Sequence, residues 1–143
     1  MGSFLLESFN GIPVWALAAI FVASGIFLVW PEIQRLMGAS NDIGTLEATR
    51  LMNQGSTLVL DVREPDEFAA GHLPKARNIP LRDLPARLGE IGKYKDRAVV
   101  VTCRSGPRSG SACRVLKRAG FGSVYQLKGG LVAWQQASLP VEK

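Results

Sequence analysis

"VVVTCRSGPRSGSACRVL", residues 99–116, decides how this chain is read. β-branched residues run up to Thr102, a cysteine follows, and then comes a short loop with glycine and proline. The run 97–102 does not alternate, so it reads as a strand buried on both faces. Behind the loop, the apolar positions 112, 115, 116 and 119 share one helical face, and Gly120 ends the helix. A thiol therefore stands at the carboxyl end of a buried strand, with Arg104 and Arg108 after it.

The physics of residues 103–108 points to a reactive thiol. Amide N–H groups in such a turn point inward and form an anion-binding concavity. The start of the helix adds about half a positive charge, and Arg104 and Arg108 add full ones. A cysteine there has a depressed pKa and is a nucleophile at neutral pH. Gly106 permits a positive φ or a close approach of the backbone. Pro107 has no N–H and suits the first helical turn. Ser105 and Ser109 offer hydroxyl donors. Cys113, within the helix, reads as a buried structural residue. Two cysteines are too few for a disulfide framework, and free thiols fit a reducing compartment.

Working outward, a helix is expected over 46–53 with Thr45 as its cap, and a strand over 57–62. A short helix follows over 64–71, with Pro65 and acidic residues in its first turn. Next come a short strand within 75–80 and a partly helical stretch over 81–91. A strand over 123–127 precedes a loop and helix over 129–137. Strands alternating with helices argue an α/β domain whose central sheet is mostly parallel and flanked by helices. Ligands in such folds bind at the carboxyl ends of the strands, where Cys103, Asp61 and Arg63 all fall.

The front of the chain differs. Ser8 to Pro31 contains no charged residue, and its 24 positions would span roughly 36 Å as a helix. That length crosses a hydrocarbon core of about 30 Å with some tilt. Trp15 and Trp30 lie near its ends, as at membrane interfaces, and Pro31 is expected to stop or kink it. A cleavable signal peptide fits less well. The first twelve residues carry no Lys or Arg, and "VASG" lies inside the apolar run. A buried core helix is the least favoured reading. The expected organisation is a short N-terminal segment (1–11), a transmembrane helix (12–31), a juxtamembrane helix and linker (32–42) and an α/β domain (43–143). "EIQRLM" (32–37) has one apolar face suited to a membrane surface.

All 17 Lys and Arg lie after the apolar run, Arg35 being the nearest. The positive-inside rule then places the C-terminal domain in the cytoplasm, in a single-pass protein. The basic balance fits attraction to an anionic leaflet or a solvated surface. No nucleic-acid motif is apparent.

Protein tyrosine phosphatases place five residues between their cysteine and arginine. Here four separate Cys103 from Arg108. The shorter loop encloses a smaller anion site, suited to one extra sulfur better than to a phosphoryl group. The domain resembles a single-domain rhodanese, or sulfurtransferase, over residues 43–141. The resemblance rests on three ordered stretches: "LDVREPDEFAAGHLPKARNIPL" (60–81), "VVTCRSGPRS" (100–109) and "AGFGSVYQLKGGLVAWQQASLPV" (119–141). Lys75 and Arg77 depart from it, standing where small or apolar residues are common.

The resemblance implies a sulfurtransferase, and the apolar run ahead of it makes that a membrane-anchored one. Cys103 would take sulfane sulfur from thiosulfate or a related anion as a persulfide cradled by amides of residues 104–108. It would then pass the sulfur to a thiol or to cyanide. Arg104, Ser105, Gly106 and Arg108 would bind the donor. Asp61 and Arg63 would form either a polar rim or, the preferred reading, a structural ion pair. His72 would serve loop packing, and Trp134 the core. No metal and no organic cofactor is implied. A membrane protein partner is compatible with the anchor. The rival reading is a rhodanese-fold interaction, regulatory or sulfur-carrier module with little turnover. The cysteine and both loop arginines weigh against it, and the loop length weighs against a phosphatase or arsenate-type reductase.

Overall fold

The computed structural model of the chain describes residues 8–9, 11–36 and 41–143. Expectations for 1–7, 10 and 37–40, including most of the N-terminal segment and part of the linker, lie outside the described residues. The chain divides into two units, 1–39 and 40–143.

In the first unit, β1 (Ser8–Phe9) pairs antiparallel with β2 (Ile12–Pro13). The helix α1 (Val14–Leu36) follows. Its segment Val14–Pro31 is long and apolar enough to cross a membrane, and none of it is buried within the protein. Of the stop or kink expected at Pro31, the stop does not occur. The proline removes one N–H donor, yet α1 continues a further turn to Leu36.

The second unit runs β3 (Asn41–Ile43), α2 (Thr45–Asn53), β4 (Leu58–Asp61), α3 (Pro65–Ala70), β5 (Arg77–Asn78) and α4 (Leu84–Arg87). A 3-10 stretch Leu88–Tyr94 extends α4. Then come β6 (Ala98–Thr102), α5 (Pro107–Arg118), β7 (Ser123–Leu127) and α6 (Gly130–Gln136). The five strands lie in the order β3-β7-β6-β4-β5, and every pairing is parallel.

The non-alternating strands are explained by two apolar layers. Leu58, Leu60, Val99, Val101 and Val124 pack with Leu84, Ile91, Ala112, Cys113 and Leu116. Ile43, Val59, Val100 and Leu127 pack on the opposite face with Ala48, Leu131 and Trp134. The central strands β4, β6 and β7 are thus covered on both sides. From β4 the chain moves outward to β5, whereas from β6 it moves the other way to β7. The reversal opens a crevice at the carboxyl ends of β4 and β6, where Asp61 lies beside Thr102.

Local departures from the sequence reading have local causes. Asn41 and Asp42, expected in the linker, join Ile43 in the edge strand β3, because a parallel register to β7 is available there. Gly44, not Thr45, is the cap of α2. The Thr45 carbonyl instead accepts the Thr49 hydroxyl at 2.8 Å. The strand expected within 75–80 shrinks to two residues at the other edge.

Candidate active site

The Cys103 thiol sits just beyond β6 and is buried, 1 % exposed. Gly106 makes the turn with φ +132°, a conformation that disfavours a side chain. This orientation aims the Gly106 amide at the sulfur, and it donates to Sγ at 3.0 Å. The Ser109 hydroxyl, on the first turn of α5, lies 3.4 Å from Sγ. Burial raises the Cys103 pKa. It is outweighed by the Ser109 hydroxyl and the amides of Ser109, Gly106 and Ser105, so the net shift is downward. Hydrogen bonds to charged groups are worth about 1.5–3 kcal/mol each, enough in number here to offset a buried charge.

The loop is held open from outside. The Cys103 and Arg104 carbonyls turn away from the sulfur and accept amides of Leu131 at 2.9 Å and Val132 at 3.1 Å, in the first turn of α6. The Gly129–Gly130 pair makes this possible. Gly130 has φ +56°, and a Cβ there would overlap the Cys103 carbonyl and come within 2.7 Å of the Arg104 oxygen.

The two loop arginines differ. Arg108 donates twice to the Glu67 carboxylate of α3, at 2.9 and 3.0 Å. The Arg108 hydrogen bond and charge hold Glu67 below its ordinary pKa. Arg104 is exposed and has no ion-pair partner among the described residues. The sequence reading drew the lowered thiol pKa from inward-facing amides, the helix start and both arginines; the amides act directly on the sulfur, joined by the Ser109 hydroxyl, whereas Arg108 interacts with it through charge.

Asp61 and Arg63 form a buried ion pair. Arg63 donates to Asp61 at 2.7 and 3.0 Å and to the Gly71 carbonyl at 2.7 Å. Asn78 Nδ2 donates to the carbonyls of both residues. Arg63 also lines a cleft of about 280 Å³ with Glu67, Gly71, Arg104, Val132 and Gln135. Asp61 is not among its lining residues. His72 stacks on Phe68 with ring centroids 3.8 Å apart, and its Nδ1 pairs with the Phe68 carbonyl. It serves packing. Cys113 is buried within α5, and burial pushes its thiol pKa up to about 12.

This arrangement of a strand end, an inward-facing amide loop and a supporting Gly-Gly turn has a counterpart among known proteins. Residues 45–137 match the profile of the rhodanese-like domain. The chain belongs to this family. A sulfurtransferase of Allochromatium vinosum is 44 % identical over 92 residues, covering 64 % of this chain and 84 % of that one. The rhodanese-related protein of Thermoplasma volcanium superposes with a TM-score of 0.64 at 27 % identity, over 71 % of this chain and 97 % of that one. Thiosulfate sulfurtransferase of Pseudomonas aeruginosa gives a TM-score of 0.67 at 25 % identity, over 78 % of this chain and 21 % of that one.

Within the rhodanese-like domain, sequence reasoning placed Cys103, Arg104, Ser105, Gly106 and Arg108 on one loop; the first four lie on the turn between β6 and α5, and Arg108 lies in the first turn of α5. The reading missed Glu67, Asn78 and Gln126. Glu67 meets Arg108 across 41 residues of sequence, a pairing no local spacing signals. Gln126 Nε2 donates to the Gly106 carbonyl at 2.9 Å. Its position in a strand reads from the sequence only as an interior place.

Proposed function

We propose that this protein is a sulfurtransferase in which Cys103 carries the sulfur. The observation that carries the reading is the convergence of the Gly106 amide and the Ser109 hydroxyl on Sγ at 3.0 and 3.4 Å. Such a site stabilises a sulfur anion, whether thiolate or persulfide. The Allochromatium relative's name supports the same chemistry.

In the first half-reaction the Cys103 thiolate attacks the outer sulfur of thiosulfate or a related sulfane donor. The donor's S–S bond breaks, sulfite leaves with the electron pair, and Cys103 keeps the sulfur as a persulfide anion. No proton and no outside oxidant is consumed. In the second half-reaction a thiolate or cyanide attacks the outer sulfur of the persulfide. The transferred sulfur departs as a new persulfide or as thiocyanate, and the Cys103 thiolate returns, in a ping-pong cycle. Arg104, exposed at the cleft wall, attracts the anionic donor, while the amides of Ser105 and Gly106 hold the sulfur. Arg108, committed to Glu67, orients the loop. Asp61 and Arg63 set the floor on which the loop stands. The helix α1 holds the domain at the membrane, and the basic residues that follow place it on the cytoplasmic side.

The test is intact mass of the full-length protein in detergent after thiosulfate, with and without cyanide. The expected result is a gain of one sulfur on Cys103 that cyanide removes. No adduct on an alkylatable Cys103 rejects the thiosulfate reading.

A further inference from the structure

Ser109 has a single hydroxyl hydrogen and two acceptors within reach. Its Oγ lies 2.8 Å from the Gly106 carbonyl oxygen and 3.4 Å from Cys103 Sγ. While Cys103 is a thiol, its S–H can donate to Oγ, and the hydroxyl can donate to Gly106. Once the sulfur is an anion it has no hydrogen to give. The hydroxyl serves it only by leaving the carbonyl.

What happens to the Gly106 carbonyl then decides how easily Ser109 turns. A carbonyl oxygen has two lone pairs. The Gly110 amide occupies the Gly106 oxygen at 3.1 Å, and Gln126 Nε2, on β7, occupies it at 2.9 Å. These two donors satisfy the oxygen without Ser109. The Gln126 amide is pinned in this sense. A Cβ on Gly106 would lie 3.4 Å from its Nε2, and one on Gly110 would lie 3.4 Å from its Oε1, so the side chain is wedged under the loop. The reverse amide orientation would set two oxygens against each other. The same bond fixes the Gly106–Pro107 peptide, the unit next along the chain from the Ser105–Gly106 peptide whose N–H donates to Sγ at 3.0 Å.

We propose that Gln126 is a positioning residue for the Cys103 anion: by holding the Gly106 carbonyl it releases the Ser109 hydroxyl to the sulfur. The inference rests on Cys103 being the reactive thiol of the proposed function. It does not depend on which sulfur donor is used.

The test is the pH dependence of Cys103 alkylation by iodoacetamide in the full-length protein, which needs no sulfur donor. Gln126→Met keeps the volume and removes the donor. It should displace the alkylation profile to higher pH and slow alkylation at neutral pH by about three- to tenfold, the range for one ordinary net hydrogen bond. The decisive comparison is a double-mutant cycle with Ser109→Ala. If Gln126 acts through Ser109, Gln126→Met has little further effect in the Ser109→Ala background. An unchanged profile in Gln126→Met, or a full effect persisting without Ser109, overturns the proposal. Cys113 labelling reports any variant that fails to fold. In that case the wild-type protein gives the answer by NMR. The Gln126 side-chain amide resonances should titrate with the Cys103 midpoint, and resonances that ignore it overturn the proposal. Failure of the persulfide experiment with a normal alkylation result would reject the donor and leave this inference standing.

Discussion

Cys103 and Cys113 lie ten positions apart, and both are buried, at 1 % and 0 % exposure. Burial pushes both thiols toward the neutral form, and in Cys113 it prevails, with a pKa of about 12. In Cys103 it is the largest influence and still loses, because the Ser109 hydroxyl and three loop amides face the sulfur. Cys113 sits in the middle of α5, where the backbone amides are spent on the helix and the neighbours are Leu116, Ala112 and the sheet. Cys103 sits where a strand has ended and a helix has just begun, so amides without helical partners are available. Burial alone therefore does not set the direction of a thiol's pKa shift in this domain; the supply of unspent donors decides it.

The sharpest way to break this contrast is to exchange the roles. Cys103→Ser should lower sulfur transfer by at least about a thousandfold, as for loss of a covalent nucleophile. Cys113→Ala should leave it within about twofold. Steady-state assay with thiosulfate and cyanide checks both. A large loss in Cys113→Ala would show that the buried thiol takes part.

The next largest effect concerns the Gly-Gly turn that supports the loop. Gly130→Ala forces a side chain into positive φ against the Cys103 and Arg104 carbonyls. It should cost about 1–3 kcal/mol of stability, read by chemical denaturation, and slow Cys103 alkylation. Cys113 should remain protected in the folded variant.

Removing one donor tests the contrast more gently. Ser109→Ala deletes the hydroxyl 3.4 Å from Sγ. Alkylation of Cys103 at neutral pH should fall by about tenfold, with its profile moved to higher pH. No change would mean that the amides alone hold the thiolate.

The smallest effect is one of linkage. Cys113 has a folded pKa near 12 against an ordinary value of 9.0. Its stabilising contribution is fully present below the ordinary value. It is lost as pH rises toward the folded one, because the unfolded state then binds fewer protons. The stability difference between wild type and Cys113→Ala should therefore narrow from about pH 9 upward. Cys103 has the opposite sign. Its folded pKa is lowered, so its contribution is present above 9.0 and is lost as pH falls through the folded value. Denaturant titrations over this pH range would check both signs, and a constant gap for Cys113→Ala would contradict the first.

Much of this was legible in the residues. The run of β-branched residues into Cys103, the Gly-Pro turn and the apolar face of α5 are contiguous, and their spacing carries their geometry. For the same reason the reading found the central strands, the helices and the turn 103–106 with Arg108 just beyond it. Apolar length and absence of charge were likewise enough to mark Val14–Pro31 as a possible span. At the edges of the sheet the reading was weaker. Strands β3 and β5 have only three and two residues, too short for a pattern, and they exist because a neighbouring strand offers a ladder.

The sequence by itself determined which thiol sits at a strand end and that a tight turn follows it, because a backbone's local path depends on neighbouring residues. Only the tertiary structure decided what the turn does to the thiol. The Gly106 conformation aims an amide at the sulfur, α6 draws two carbonyls away from it, Glu67 takes up Arg108, and Gln126 reaches the loop from β7. These partners come from distant parts of the chain. They meet because the parallel sheet brings the ends of β4, β6 and β7 to one edge, and no spacing within a single segment encodes that meeting.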